Sequence, residues 1–126
     1  MPLTKVVFYK DDDGTVPVLD FMQDMPKRER AKLIARFERL EQLGHELRRP
    51  EADFLRDGIH ELRMSYGHIN YRVLYFFHGN SVAVLTAGIT KETVVPSVEI
   101  DRAVERKTKF AAHPQKHGCD RMEGLK

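Results

Sequence analysis

The chain has 126 residues, 41% of them hydrophobic, which suits one domain with one core. Charged residues make up 32%, yet the formal net charge is only +2, a balance that admits RNA or a ribosome as partner without demanding one. The single cysteine, Cys119, excludes an intramolecular disulfide framework, and no run approaches the roughly twenty apolar residues that span a bilayer.

Leu3 to Tyr9 is rich in β-branched and aromatic residues and stops at Asp11-Asp12-Asp13-Gly14, a cluster of turn formers, so it reads as a first strand. Its apolar patch, Val6-Val7-Phe8, is followed by aspartates rather than a cleavage site, and a cytoplasmic protein is expected. Thr15 is the expected cap of a short helix with Pro17 in its first turn and Val18, Leu19 and Met22 on its apolar stripe, ending near Met25-Pro26. From Lys27 to Leu43 the apolar positions Ala31, Ile34, Phe37 and Leu40 recur at three-residue steps, and Gly44 follows as the stop. These two helices should form a hairpin whose charged faces meet solvent.

Residues 45 to 58 form a connection containing Arg48-Arg49-Pro50, with room for a short strand around Phe54-Leu55. Asp57-Gly58 then turns the chain into an antiparallel meander with strands Ile59 to Tyr66, Asn70 to His78 and Ser81 to Lys91, broken at Gly67-His68 and Gly79-Asn80. Pro96 opens a last helix that runs to about Ala112, acidic early and basic late as the helix dipole favours. One domain over residues 1–112 is the expectation. The segment 113–126 shows no periodicity and is expected to be disordered.

The meander carries the chemistry. A first hairpin centred on Gly67-His68 sets Ser65 opposite Asn70 and Arg63 opposite Arg72, and opposed residues share a side of the sheet. A second hairpin centred on Gly79-Asn80 sets Arg72 opposite Ala87, with Leu85, Ile89 and Lys91 on the same side. Like charges directly opposite cost about 0.2 to 1 kcal/mol, which a sequence shaped by folding alone would avoid. The bland alternative is a surface salt-bridge cluster, because Glu61 lies on this face beside Arg63.

The functional alternative is a phosphodiester site. Cutting RNA without a metal needs a base for the 2′-OH, cations for the phosphorane charge and an acid for the leaving 5′-oxygen. Arg63 and Arg72 suit the charge role, and Lys91, beside two like charges, is the better candidate base. His68 and His78 sit in turn contexts, and His60 has the opposite parity to Arg63. His113, His117 and Cys119 lack the rigid frame of a zinc site. Tyr66 is the aromatic best placed to stack on a base. The reaction calls for no cofactor and no metal.

The runs Leu55-Arg56-Asp57-Gly58-Ile59-His60-Glu61-Leu62-Arg63, Tyr71-Arg72-Val73-Leu74-Tyr75-Phe76-Phe77 and Ala87-Gly88-Ile89-Thr90-Lys91 resemble the phage-derived HigB branch of the RelE/ParE toxin superfamily, as does the element order from residue 3 to about 112. The resemblance implies an α+β fold with a helical hairpin on a twisted antiparallel sheet. It implies a toxin that cuts mRNA in the ribosomal A site and a cognate helix-turn-helix antitoxin that neutralises it. Carried over by position, Arg72 matches the family's best-marked active-site arginine, Arg63 a basic position on the neighbouring strand, and Lys91 the lysine that ends the last strand. Relatives often carry a second lysine where this chain has Glu92. Arg106 and Lys109 on the last helix are candidate phosphate contacts. The same superfamily also holds ParE-like inhibitors that bind DNA gyrase without catalysis, and an inactive phage protein that binds only its antitoxin is a third alternative.

Overall fold

The computed structural model describes residues 3–90 and 94–125. In chain order these residues form β1 (Lys5–Tyr9), α1 (Pro17–Gln23), α2 (Lys27–Leu43), β2 (Ala52–Arg56), β3 (Ile59–Tyr66), β4 (Ile69–His78), β5 (Val82–Thr90), α3 (Ser97–Ala112), α4 (Pro114–His117), β6 (Gly118–Asp120) and α5 (Arg121–Gly124), with one 3-10 turn at Gly44–Glu46. The strands make one six-stranded sheet in the order β2-β3-β4-β5-β1-β6, antiparallel except where β1 lies parallel to β5. This is the α+β arrangement expected from the sequence, with helices on both faces of the sheet.

Side chains alternate across each strand, so each face builds its own core. One face sets Leu62, Met64, Val73 and Tyr75 against Leu33, Phe37 and Leu40 of α2 and Val18 and Met22 of α1. The other sets Ile59, Leu74, Phe76 and Val84 against Ile100, Ala103 and Phe110 of α3. Each fully buried large apolar side chain contributes about 1.5 to 3 kcal/mol. Gly88 lets α1 approach β5: a Cβ there would collide with the Phe21 ring.

Turn chemistry explains where the expected strands held. Asp57 and Gly58 both adopt positive φ, 54° and 80°, the pairing of a tight hairpin turn. Gly67-His68 is the two-residue turn joining Tyr66 to Ile69, and it pairs Ser65 with Asn70 and Arg63 with Arg72 as expected. The second hairpin differs. Its loop is Gly79-Asn80-Ser81, and the register slips again between Leu74 and Tyr75, so Arg72 faces Ile89 and Leu74 faces Ala87. Thr86 is the extra residue. The three-residue loop turns Leu85 to the opposite face from the arginines, and the bulge, where the Thr86 hydroxyl donates to the Leu74 carbonyl at 3.2 Å, returns Ala87 and Ile89 to the arginine side.

Two further expectations are corrected. Thr15 does not cap α1, because Val16 is the N-cap residue and the Thr15 hydroxyl instead donates to Asp13 at 2.7 Å. Nor is the C-terminal segment disordered through residues 113–125. β6 pairs antiparallel with β1, Phe8 opposite Cys119, and Arg121 donates to Glu41 at 2.9 Å. His117 is buried, stacked on the Tyr9 ring at 5.3 Å, with Nδ1 2.8 Å from the Lys10 carbonyl. Strands of three residues and helices of four are too short to show a period, and their partners lie far away in sequence, 80 residues for Arg121 and Glu41 and 107 for His117 and Lys10.

Candidate nucleic-acid interface

Arg63 and Arg72 stand directly opposite each other on adjacent central strands, on the α3 face. Glu61 lies two residues before Arg63 on the same strand and so shares this face. Its carboxylate is 3.3 Å from Nη1 of Arg72 and 3.5 Å from Nε of Arg63. This single carboxylate offsets the like-charge opposition and leaves the trio with one net positive charge. Glu61 and Arg72 are buried at 3% and 8% exposure, whereas the Arg63 side chain keeps 35%. A buried pair of this kind gains little over an apolar pair, but removing one partner costs about 3 to 5 kcal/mol. Arg63 is therefore the cation free to change partners.

The trio opens into a cavity of about 410 Å³, walled on one side by Leu55, Val95 and Ile100 and on the other by Arg49, Arg63 and Arg72. Arg49 is held to Asp53 at 2.7 Å. A neighbouring cavity of about 420 Å³ shares these arginines and adds Lys32 and Arg36 of α2, with Ser65 and Asn70 as polar lining.

The reason for this convergence is backbone hydrogen bonding. β3 outruns β2: Ala52 pairs with Leu62, the Glu51 carbonyl accepts the Arg63 N–H, and β2 extends no further. The carbonyls left unpaired on the overhanging edge need donors. Arg36 Nε donates to the Arg63 carbonyl at 2.9 Å and Lys32 Nζ to that of Ser65 at 2.5 Å. Two cations of α2 are thus drawn to the edge beside the arginine pair.

Tyr71 donates to Glu29 at 2.6 Å, and that hydrogen bond, aided by burial, pushes its pKa up to about 12. It stays protonated at neutral pH.

The other candidates separate from this site. Lys91, together with Glu92, lies outside the described residues. Arg106 and Lys109 do not reach the arginine cavities: Arg106 donates to the Thr86 carbonyl at 3.3 Å and Lys109 pairs with Asp12 at 3.1 Å. Tyr66 is on the opposite face by parity, half-buried against the hairpin core, with Lys32 Nζ 5.9 Å from its ring centre. His60 is also on that face, stacked on Tyr75 at 5.1 Å. Burial, with the like charge of His45 and Arg48, lowers its pKa. His68 is exposed in its turn, and His78 packs on Phe110 at 5.1 Å. Among the described residues no cluster suits a metal.

Sequence reasoning missed Lys32, Arg36 and Arg49. The signals were visible: an i, i+4 basic pair on α2 and a double arginine in the connection. Charged helix faces usually meet solvent, so neither signal pointed to the sheet.

An α+β fold with an arginine pair on a helix-covered sheet face, opening onto a basic edge, is consistent with the RelE-like class. Residues 20–108 match the model of the family described as phage derived protein Gp49-like (DUF891), and the chain belongs to this family, which is RelE/ParE-like. The match runs from within α1 to within α3 and leaves α4, β6 and α5 outside it. No curated protein matches the chain.

Proposed function

We propose that the protein is the toxin of a type II toxin–antitoxin system, HigB-like in kind, and that it acts as a metal-independent, ribosome-dependent mRNA endonuclease. The observation that carries this reading is the Arg63–Arg72 opposition on one sheet face with a single carboxylate between them. Two guanidiniums, fixed by the strands, supply preorganised positive charge where a pentavalent phosphorus would accumulate negative charge.

In the proposed reaction the 2′-oxygen attacks the adjacent phosphorus as a base removes its proton. The bond to the 5′-oxygen breaks, and an acid protonates that leaving oxygen, yielding a cyclic phosphate end and a 5′-hydroxyl end. Lys91 is the proposed base. Arg63 contributes by exchanging its 3.5 Å contact with Glu61 for a phosphate oxygen, while Arg72 stays bound to Glu61 and orients the site. Lys32, Arg36 and Arg49 extend the positive surface for the flanking backbone.

The proposed toxin unit is residues 1–112, with the C-terminal segment docked onto it. Its proposed partners are the ribosome with its mRNA, and a helix-turn-helix antitoxin; its proposed location is the cytoplasm. Inducing the protein without antitoxin should stop growth and place new 5′-hydroxyl ends in translated mRNA. Arg63→Ala should abolish the cuts in a protein that still folds. Growth arrest with intact mRNA and accumulating DNA breaks would point to gyrase instead.

A further inference from the structure

Metal-independent cleavage of RNA needs an acid for the leaving 5′-oxygen as well as a base for the 2′-OH. The side chains that line the two arginine cavities narrow the choice. Arginine keeps its proton at any working pH, so the arginines there stabilise charge but are poor proton donors. The Tyr71 hydroxyl is committed to Glu29 at 2.6 Å, and the Ser65 hydroxyl to Asn70 at 2.7 Å. Asp53 and Glu61 serve as acceptors for Arg49 and for the Arg63–Arg72 pair.

Lys32 is different. Its side chain is exposed, and it lines the 420 Å³ cavity together with Arg63 and Arg72. The ammonium carries three N–H groups. One is used by the Ser65 carbonyl at 2.5 Å, and no salt bridge neutralises the charge among the described residues. Two N–H groups thus remain for a ligand at the open edge of β3. The direction of approach also fits. Lys32 reaches the β3–β4 ribbon from its β3 edge, whereas Thr90, the residue before the proposed base Lys91, pairs with Tyr71 from the β5 side. An in-line displacement places the attacking and leaving oxygens on opposite sides of the phosphorus.

We propose that Lys32 is the general acid of the cleavage reaction, an assignment that rests on the nuclease reading. As the bond from phosphorus to the 5′-oxygen breaks, its electron pair goes to that oxygen, which takes a proton from Nζ of Lys32. Lys32 is left as a neutral amine and regains a proton from water. Between turnovers the Ser65 carbonyl holds the ammonium at the strand edge.

The test uses ribosomes programmed with a defined mRNA in two forms, one ordinary and one with sulfur in place of the 5′-oxygen at the mapped cut. A thiolate leaves without a proton, so the sulfur form needs no acid. Lys32→Ala and Lys32→Gln should cut ordinary mRNA slower than the wild type by about a hundredfold or more. Both should cut the sulfur form at close to the wild-type rate, which also shows that they fold. Lys32→Gln retains a donor for the Ser65 carbonyl, so its defect on ordinary mRNA reports the lost proton rather than the lost contact. Arg63→Ala should stay slow on both forms, since charge on the phosphorus needs stabilising whichever atom leaves. Wild-type rates on ordinary mRNA in the Lys32 variants would overturn the assignment. So would variants with unchanged urea midpoints that are equally slow on both forms, because Lys32 would then supply charge alone. In either case cutting by the wild type keeps the nuclease reading, whereas a wild type that cuts neither form removes that reading and the assignment with it.

Discussion

The two faces of the β3–β4 ribbon are built from the same two strands and differ in almost every physical respect. The face toward α1 and α2 carries Leu62, Met64, Val73 and Tyr75, all buried in an apolar core. The face toward α3 carries Ile59, Leu74 and Phe76 near one end and then changes character to Glu61, Arg63 and Arg72. The helical hairpin buries these four side chains, whereas on the α3 face the charged residues line a cavity. Stability and charge are thus assigned to opposite sides of one ribbon, which allows either to be perturbed with limited effect on the other.

The largest expected effect on stability is on the hairpin face. Phe37, fully buried, should cost about 3 to 5 kcal/mol when changed to alanine, read from the urea unfolding midpoint. On the other face, Arg63→Ala should lower the rate of mRNA cleavage by about a hundredfold or more, the scale for loss of a charge-stabilising donor. Its half-exposed contact with Glu61 should cost under about 1 kcal/mol of stability. Comparable stability losses in the two variants would dissolve the contrast between the faces.

A smaller effect distinguishes the faces by pH. The folded-state pKa of His60 lies below its ordinary value of 6.5, chiefly through burial. The unfolded chain therefore binds the proton more readily, so the stabilisation is complete above 6.5 and is lost as pH falls from there through the folded pKa. Thermal melts between neutral and mildly acidic buffer should show this loss, and His60→Phe should reduce it. A profile unchanged by that substitution would assign the acid sensitivity elsewhere. Smallest is Tyr9→Phe, which removes a buried hydroxyl that lacks a hydrogen-bond partner among the described residues and should gain on the order of 1 kcal/mol, measured by urea denaturation. A loss would mean that the hydroxyl has a partner in solution.

What the sequence made legible depended on how local the determining chemistry is. The opposition of Arg63 and Arg72 follows from a two-residue turn only a few positions from either, so counting from Gly67-His68 places it correctly. The same counting failed one hairpin later. The loop holds three residues, and Thr86 bulges out to satisfy the Leu74 carbonyl, neither of which has a sequence signature stronger than the Gly-Asn pair. Lys32, Arg36 and Arg49 come from elements remote from the meander and meet it only because β3 overhangs β2. The C-terminal segment was hidden for a related reason: its order rests on contacts such as Arg121–Glu41 and His117–Tyr9, which join it to α2 and to the first strand.

The most direct test is cleavage by the purified protein on ribosomes programmed with a defined mRNA, with 5′ ends mapped by primer extension for the wild type and for Arg63→Ala. The account predicts discrete cuts by the wild type that require the ribosome and vanish in the folded variant. Cuts of equal strength in Arg63→Ala, or intact mRNA in the presence of wild-type protein, would contradict it.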